Sequence, residues 1–290
     1  FEQGIQILSE QIQYSLIQEE KIQKEVKIIF QEISQNEDSP QRYLNKIVRN
    51  YLFRDHSIGH PILGTKESLS KLTREYFVNF IKKYYYPGNY TFLVAGNVNP
   101  EHAKEIFDKY FKERVDREKN IREKEPIPTG HEREIQEKRN INQLQMNIAS
   151  PIRFPDSRER TCLELFSFMI GSGASSPLSE EIRDKRGLVY TIESFFQQYT
   201  DNGLFVIYAG TNAENYKEII KTSFEIIEVS KKKKELLEKA KKMRLGRLSL
   251  LFENPWEIIW NAAYKTTLFG KPQGYQEISE AIKDITIEDI

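Results

Sequence analysis

The 290 residues carry 43 basic and 43 acidic side chains, so no net field draws the chain to nucleic acid or to an acidic membrane. Hydrophobic residues make up 39% and charged residues 30%, a globular balance with core enough for two domains. The single Cys162 excludes a disulfide framework, and no apolar run approaches the roughly 20 residues that span a bilayer.

The chain starts without methionine, already inside an amphipathic pattern (Ile5, Ile7, Leu8, Ile12). It reads as an excised piece of a longer polypeptide. Helices are expected near 2–14, 18–35, 40–53, 73–85 and 100–112, with a strand at Tyr90–Ala95 ending at Gly96-Asn97. A charged stretch closing at Pro126 and Pro128 reads as an interdomain linker. Beyond it come strands at 134–138 and 143–149, a helix at 157–170, strands at 189–198 and 203–209, and helices at 213–228, 231–252 and 255–268. Cys162 precedes Leu163, Leu165 and Phe166 and reads as core.

The helix covering Glu20–Ser34 holds the sharpest feature. At about 100° per residue, Ile22, Val26, Ile28, Ile29, Phe30 and Ile33 fan over one side, and Glu25 and Glu32 point into that arc. Seven residues apart, the two carboxylates stack two turns from one another. Burying a lone carboxylate costs several kcal/mol unless something neutralises it. A metal, an ion-pair partner and a neighbouring helix end all remain open from the residues alone.

Other donors are less informative. His56 and His60 have i, i+4 spacing, but Gly59 and Pro61 make the segment a loop, which favours capping over a metal site. His102 begins a helix beside Pro100, and His131 has no evident partner. Gly171–Ser176 lacks the Gly-Lys-Ser/Thr ending of a phosphate loop and reads as a helix stop. Lys231–Lys234, with Lys239, Lys241 and Lys242, read as a solvated helix face. The run RDKRGLVY, Arg183 to Tyr190, passes through Gly187 into a strand. Its cation and phenol could grip a peptide carbonyl, but as isolated features they read first as structural anchors.

Two self-comparisons suggest an internal repeat. Asn99, Glu101, Lys104, Glu105, Ile106 and Phe111 match Asn212, Glu214, Lys217, Glu218, Ile219 and Phe224. Over a longer range, Glu20, Pro40, Thr73 and Glu75 match Glu235, Pro255, Thr286 and Glu288. Leu69 and Leu72 match Ile282 and Ile285. This register sets Ala240 near the place of Glu25 and Arg247 opposite Glu32, so the carboxylate pair belongs to the first copy alone. It also starts the first copy roughly 85 residues before Phe1.

Taken together, these segments resemble the insulinase/pitrilysin-type zinc metallopeptidases, near the processing-peptidase branch. Glu25-VKIIFQ-Glu32 looks like the helix giving the third zinc ligand. HPILGT from His60, followed by SLSKLTREYFVNFIKKYYYPGNYTFLVAGNV, looks like the segment closing the first domain. RDKRGLVYTIESFF from Arg183 and DNGLFVIYAGT from Asp201 look like the hallmark of the second.

The resemblance implies an α+β fold of two homologous domains, each an antiparallel-rich sheet packed with helices, the first incomplete. Residues 1–112 would be the C-terminal part of the zinc-site domain, 113–128 a charged linker, and 129–290 a substrate-clamping domain incomplete at its C-terminus. It makes Glu32 the metal ligand, Glu25 an acidic residue supporting the site, and Arg183 and Tyr190 the pair orienting bound peptide. The implied cofactor is Zn²⁺, polarising the scissile carbonyl and activating water; the implied partner is an unstructured peptide added as an edge strand. His60 departs from the arginine that relatives often carry before the proline.

The larger departure is that the inverted motif H-x-x-E-H occurs nowhere in these residues. The region around Phe166 to Ile170 offers no ligand types in its place. The fragment is therefore expected to hydrolyse nothing by itself. The alternative is a non-catalytic subunit binding peptides or a catalytic mate, and the family allows homo- or heterodimers; a purely structural role in a larger complex is a third reading.

Overall fold

The computed structural model describes residues 1–53, 56–111, 134–153, 156–200 and 202–290. Among the described residues, six α-helices come first: α1 (Glu2–Gln13), α2 (Glu19–Asp38), α3 (Pro40–Leu52), α4 (Lys66–Ser70), α5 (Arg74–Tyr84) and α6 (Pro100–Tyr110). Then come β1 (Leu144–Arg153), α7 (Ser157–Gly171), a π-helical segment (Ser179–Lys185), β2 (Val189–Gln198) and β3 (Asn202–Thr211). Four helices follow: α8 (Tyr216–Ser230), α9 (Lys234–Glu253), α10 (Pro255–Phe269) and α11 (Tyr275–Lys283). The fold is α+β, dominated by helices around an antiparallel three-stranded sheet of order β1–β3–β2.

The helix starts follow from their caps. Asn99, Asp156 and Asn254 accept backbone N–H bonds from the first turns of α6, α7 and α10, meeting donors that have no partner inside the helix. Thr65 and Ser68 form a reciprocal capping box on α4. Pro40, Pro100 and Pro255 each begin a helix, where a missing N–H costs nothing.

β3 is buried at all ten positions because both faces of the sheet are covered. On one face Phe205, Ile207 and Ala209 pack with Leu165, Met169 and Ile170 of α7, Leu237 and Leu248 of α9, and Ile282 of α11. Each large aliphatic side chain so buried contributes about 1.5–3 kcal/mol. Cys162 belongs to this core, and burial pushes its thiol up to about 11. On the other face Leu204 and Val206 pack with Phe53 and, from α3, Val48 and Leu52. Asn147 of β1 donates to Asn45 of α3 at 2.9 Å, and Gln41 of α3 donates to Glu193 of β2 at 3.3 Å. The first half of the chain thus roofs the sheet of the second.

Helix bounds repeat at a constant offset. Glu19 and Lys234 begin twenty-residue helices, which end at Asp38 and Glu253; Pro40 and Pro255 open the next ones.

Several expectations differ from the structure. Tyr90–Ala95 forms no ladder among the described residues; Tyr90 and Phe92 pack their rings against Phe107 and Phe111 at the end of α6 instead. Residues 134–138 likewise form no ladder; Tyr43 donates to Glu137 at 2.7 Å there. The charged linker at 113–128, and His131, lie outside the described residues. Lys239 and Lys241 are not simply solvated: they donate to the carbonyls of Ser175 and Lys283, clamping α9 to its neighbours.

Candidate functional site

α2 does not bury the whole arc expected of it. Ile22, Val26 and Ile33, with Ile29 beside them, form a narrow stripe against Leu63, Leu69, Leu72 and Phe77. Ile28 is left 54% exposed, and Glu25 and Glu32 are exposed on either side of it. The physical reason is width: one stripe at positions i, i+4, i+7 and i+11 fills the contact that α4 and the segments flanking it offer. Glu25, Ile28 and Glu32 make a second stripe with the same pitch, facing outward. Neither carboxylate has a hydrogen-bond or ion-pair partner among the described residues.

The corresponding stripe of α9 is covered. At an offset of 215, Glu25, Ile28 and Glu32 correspond to Ala240, Met243 and Arg247. Ala240 is 1% exposed in the core. The Met243 methyl lies beside Gly173, just beyond the end of α7. Arg247 donates to Ser172 at 3.1 Å and lies 4.9 Å from the Phe168 ring centre. Arg244 pairs with Glu164 at 2.7 Å. In the second copy this face is the seat of a helix.

Arg183 and Tyr190 flank one junction. Gly187, at φ +64°, turns the chain back so that its N–H meets the Arg183 carbonyl and the Leu188 N–H meets the Ile182 carbonyl, both at 3.0 Å. The left-handed backbone explains the glycine. Asn215 and Thr211 hold the Leu188 carbonyl from the far side. Two residues on, Val189 pairs with Thr211 and Thr191 with Gly210, so Tyr190 is the extra residue of a bulge. A bulge re-aims its side chain, and Tyr190 stands 80% exposed. Arg183 lies in the π-helical segment, where the wider turn shifts side chains off α-helical register. Its guanidinium meets Asp184 at 2.8 Å and holds that carboxyl below its usual range.

The structure therefore joins Glu25 to Glu32 on one face, and Arg183 to Tyr190 at one junction. No direct contact between the two pairs occurs among the described residues. The frame linking them is α3, which starts two residues after α2 ends and whose Gln41 reaches Glu193, three residues past Tyr190. An open groove beside α2, lined by Phe30, Gln31, Ser34, Gln35, Asp38 and Lys66, includes none of the four.

His56 caps a 3₁₀ turn, its Nδ1 accepting from the Ile58 N–H at 3.2 Å. The His102 N–H bonds the Asn99 side chain. Zinc requires three or four protein ligands in one place, and no group of three His, Cys, Asp or Glu among the described residues could hold it. These residues do not form a zinc site on their own. Among the described residues, no helix is long and apolar enough to cross a membrane.

Periodicity alone misses Trp256 and Trp260, an exposed i, i+4 pair on α10. Aromatics at helical spacing read as core, and only the repeat register distinguishes them.

Comparison with known proteins adds four matches. Residues 71–244 match the family described as Peptidase M16 inactive domain. An uncharacterized zinc protease of Rickettsia felis is 31% identical over 301 aligned positions, taking in all of this chain and 70% of the relative. The uncharacterized zinc protease YmxG of Bacillus subtilis is 24% identical over 99% of this chain and 70% of its own length. The crystal structure of a protease from Helicobacter pylori superposes with a TM-score of 0.83 at 21% identity, covering 99% of this chain and 72% of that one; at that identity the likeness speaks for the fold.

Proposed function

The chain belongs to the M16 peptidase family, and on that premise we propose that it is the metal-completing and substrate-aligning part of a zinc-dependent peptidase acting on unstructured peptides. The observation that carries this reading is the contrast between α2 and α9. In α9 the stripe Ala240, Met243, Arg247 is covered by α7 and its end. In α2 the matching stripe presents two carboxylates around an exposed isoleucine. Such a face suits a helix of the α7 kind that brings cationic or metal-binding groups to Glu25 and Glu32. An H-x-x-E-H helix has that chemistry, with Glu32 as the remaining ligand and Glu25 orienting its neighbours.

Arg183 and Tyr190 would act on the peptide rather than on the metal. β2 is an edge strand, and an extended peptide can pair with an outer row of backbone groups. Tyr190 stands out from that edge at the bulge, and Arg183 would exchange its weak pairing with Asp184 for a peptide carbonyl.

The test uses the natural polypeptide in which these residues occur together with an H-x-x-E-H. It should bind zinc stoichiometrically by elemental analysis, and Glu32→Gln should abolish binding. Glu25→Gln should weaken binding by about 10–100-fold. If the zinc-loaded protein cleaves no unstructured peptide, the enzyme reading fails. The match to an inactive domain favours a second reading, a non-catalytic subunit that binds peptides or a catalytic mate. Full zinc retention by Glu32→Gln, with peptide binding but no cleavage, would establish it.

A further inference from the structure

Leu188 ties the two ends of the Arg183–Tyr190 junction together. Its N–H meets the carbonyl of Ile182, the neighbour of Arg183, at 3.0 Å. Its own carbonyl belongs to the peptide bond by which the chain enters β2, just ahead of Tyr190. Because Tyr190 is the extra residue of the bulge, pairing with β3 does not set its direction. The direction depends on how the backbone before it is held.

Two side chains hold the Leu188 carbonyl, and both come from outside the junction. The Thr211 hydroxyl donates to it at 2.5 Å and the Asn215 amide at 3.2 Å, which together use both acceptor positions of one oxygen. Thr211 ends β3 and is 3% exposed, so its hydroxyl has little water to turn to. Its other acceptor, the Asn212 carbonyl, lies farther off at 3.4 Å. Asn215 stands at the N-cap of α8 yet makes no side-chain cap bond. Asparagine at that place ordinarily accepts an N–H from the first turn. Here the cap is forgone, and the Leu188 carbonyl gains its second donor. Arg186 also crosses from the junction to α8, but its ion pairs with Glu181 and Glu218, each at 3.1 Å, lie near the surface, where such pairs contribute little.

We infer that Thr211 and Asn215 are positioning residues for Tyr190 and Arg183. Through the Leu188 carbonyl they fix the bulge that aims the phenol and the turn that carries the guanidinium. They would act through the backbone and touch neither peptide nor metal. This deepens the peptide-site reading given above and rests on it.

The test uses the zinc-loaded natural polypeptide and an unstructured peptide. Thr211→Val keeps a similar shape and removes the donor, and Thr211→Ser keeps the donor. Asn215→Asp removes the amide donor but can still cap α8. Thr211→Val and Asn215→Asp should each raise KM by up to about tenfold, the scale of one hydrogen bond, with kcat little changed. Thr211→Ser should keep the parental KM. In a background already carrying Arg183→Ala and Tyr190→Phe, Thr211→Val should add nothing. If the polypeptide binds the peptide without cleaving it, its dissociation constant replaces KM. Hydrogen exchange read by mass spectrometry needs no peptide, and it should quicken at 188–191 in Thr211→Val and in Asn215→Asp.

Unchanged exchange in both variants overturns the inference, because the junction is then held by something else. An equal rise of KM in the two backgrounds also overturns it, as does a loss that Thr211→Ser shares; each marks a general packing role. Should Arg183→Ala and Tyr190→Phe themselves leave KM unaltered, the peptide-site reading has failed, and the positioning role falls with it whatever the exchange shows.

Discussion

Ser39 and Asn254 occupy one position in two copies of a helix–cap–helix unit. Each follows the last residue of a twenty-residue helix and precedes the proline of the next, with φ, ψ of −86°, 110° and −103°, 114°. Their side chains differ in use. The Asn254 Oδ1 accepts from the Trp256 N–H at 3.0 Å, whereas Ser39 makes no capping bond. The backbone corner is thus common to both copies, and the side-chain cap belongs to one.

Asn254→Ala should accordingly cost about 1 kcal/mol of stability, the usual loss for an N-cap. Ser39→Ala should change stability by a few tenths at most. Urea unfolding of the two variants against the parent chain decides this; equal losses would mean that the cap bond contributes nothing at Asn254.

Gly171, the last residue of α7, lies so close to β2 that an added Cβ would overlap the backbone nitrogen and hydroxyl of Ser194. Ser194 is itself tied to the Ser167 carbonyl at 2.8 Å. Gly171→Ala should therefore destabilise by about 1–3 kcal/mol through overpacking, while Gly246→Ala, with open space around it, should not destabilise. Differential scanning calorimetry of both variants tests the contrast.

Asp289 should make stability depend on acid. Hydrogen bonds from the Arg158 guanidinium and from the Thr286 N–H, at 2.7 Å, hold its carboxyl well below the usual carboxylate range. A depressed folded pKa adds stability above the unfolded value of about 3.9, lost as pH falls through the folded pKa. The melting-temperature difference between the parent and Asp289→Asn should then be constant from neutral pH to about pH 5 and shrink below about pH 4. A difference that disappears near neutral pH would reject this assignment.

At the proposed peptide site, Tyr190→Phe keeps the ring and removes the hydroxyl, and Arg183→Ala removes the charge. If both groups bind the peptide equally before and during the reaction, KM should rise on the order of tenfold with kcat little changed. A fall in kcat at constant KM would place either residue in the chemistry instead. Neither substitution should lower the melting temperature appreciably, since both side chains lie at the surface.

Most element positions were legible because local signals agree. Pro40 and Pro255 mark helix starts, and runs rich in aromatic and aliphatic residues give β2 and β3 to within a residue or two. What periodicity cannot supply is how wide a partner each helix meets. The arc through Ile28 and Ile29 reads as one buried face, yet only the Ile29 side finds a partner among the described residues. The π-helical turn at Ser179–Lys185 has no propensity of its own, and Tyr90–Ala95 has a strand composition without a strand beside it among the described residues. The bulge at Tyr190 depends on pairing with β3, which no local pattern encodes.

The roof that α3 lays over the sheet has a consequence for how the chain reaches its native state. The bonds from Asn45 to Asn147 and from Gln41 to Glu193 close loops of 102 and 152 residues. The central strand cannot shed water from both faces until a helix made long before it has returned. Contacts so distant in sequence slow folding, because loop closure must precede their reward. During synthesis α3 would emerge with its apolar side bare, and Leu204 and Val206 would stay wet until it docked. Refolding should thus show late, joint protection of α3 and β3 amides in pulsed hydrogen exchange.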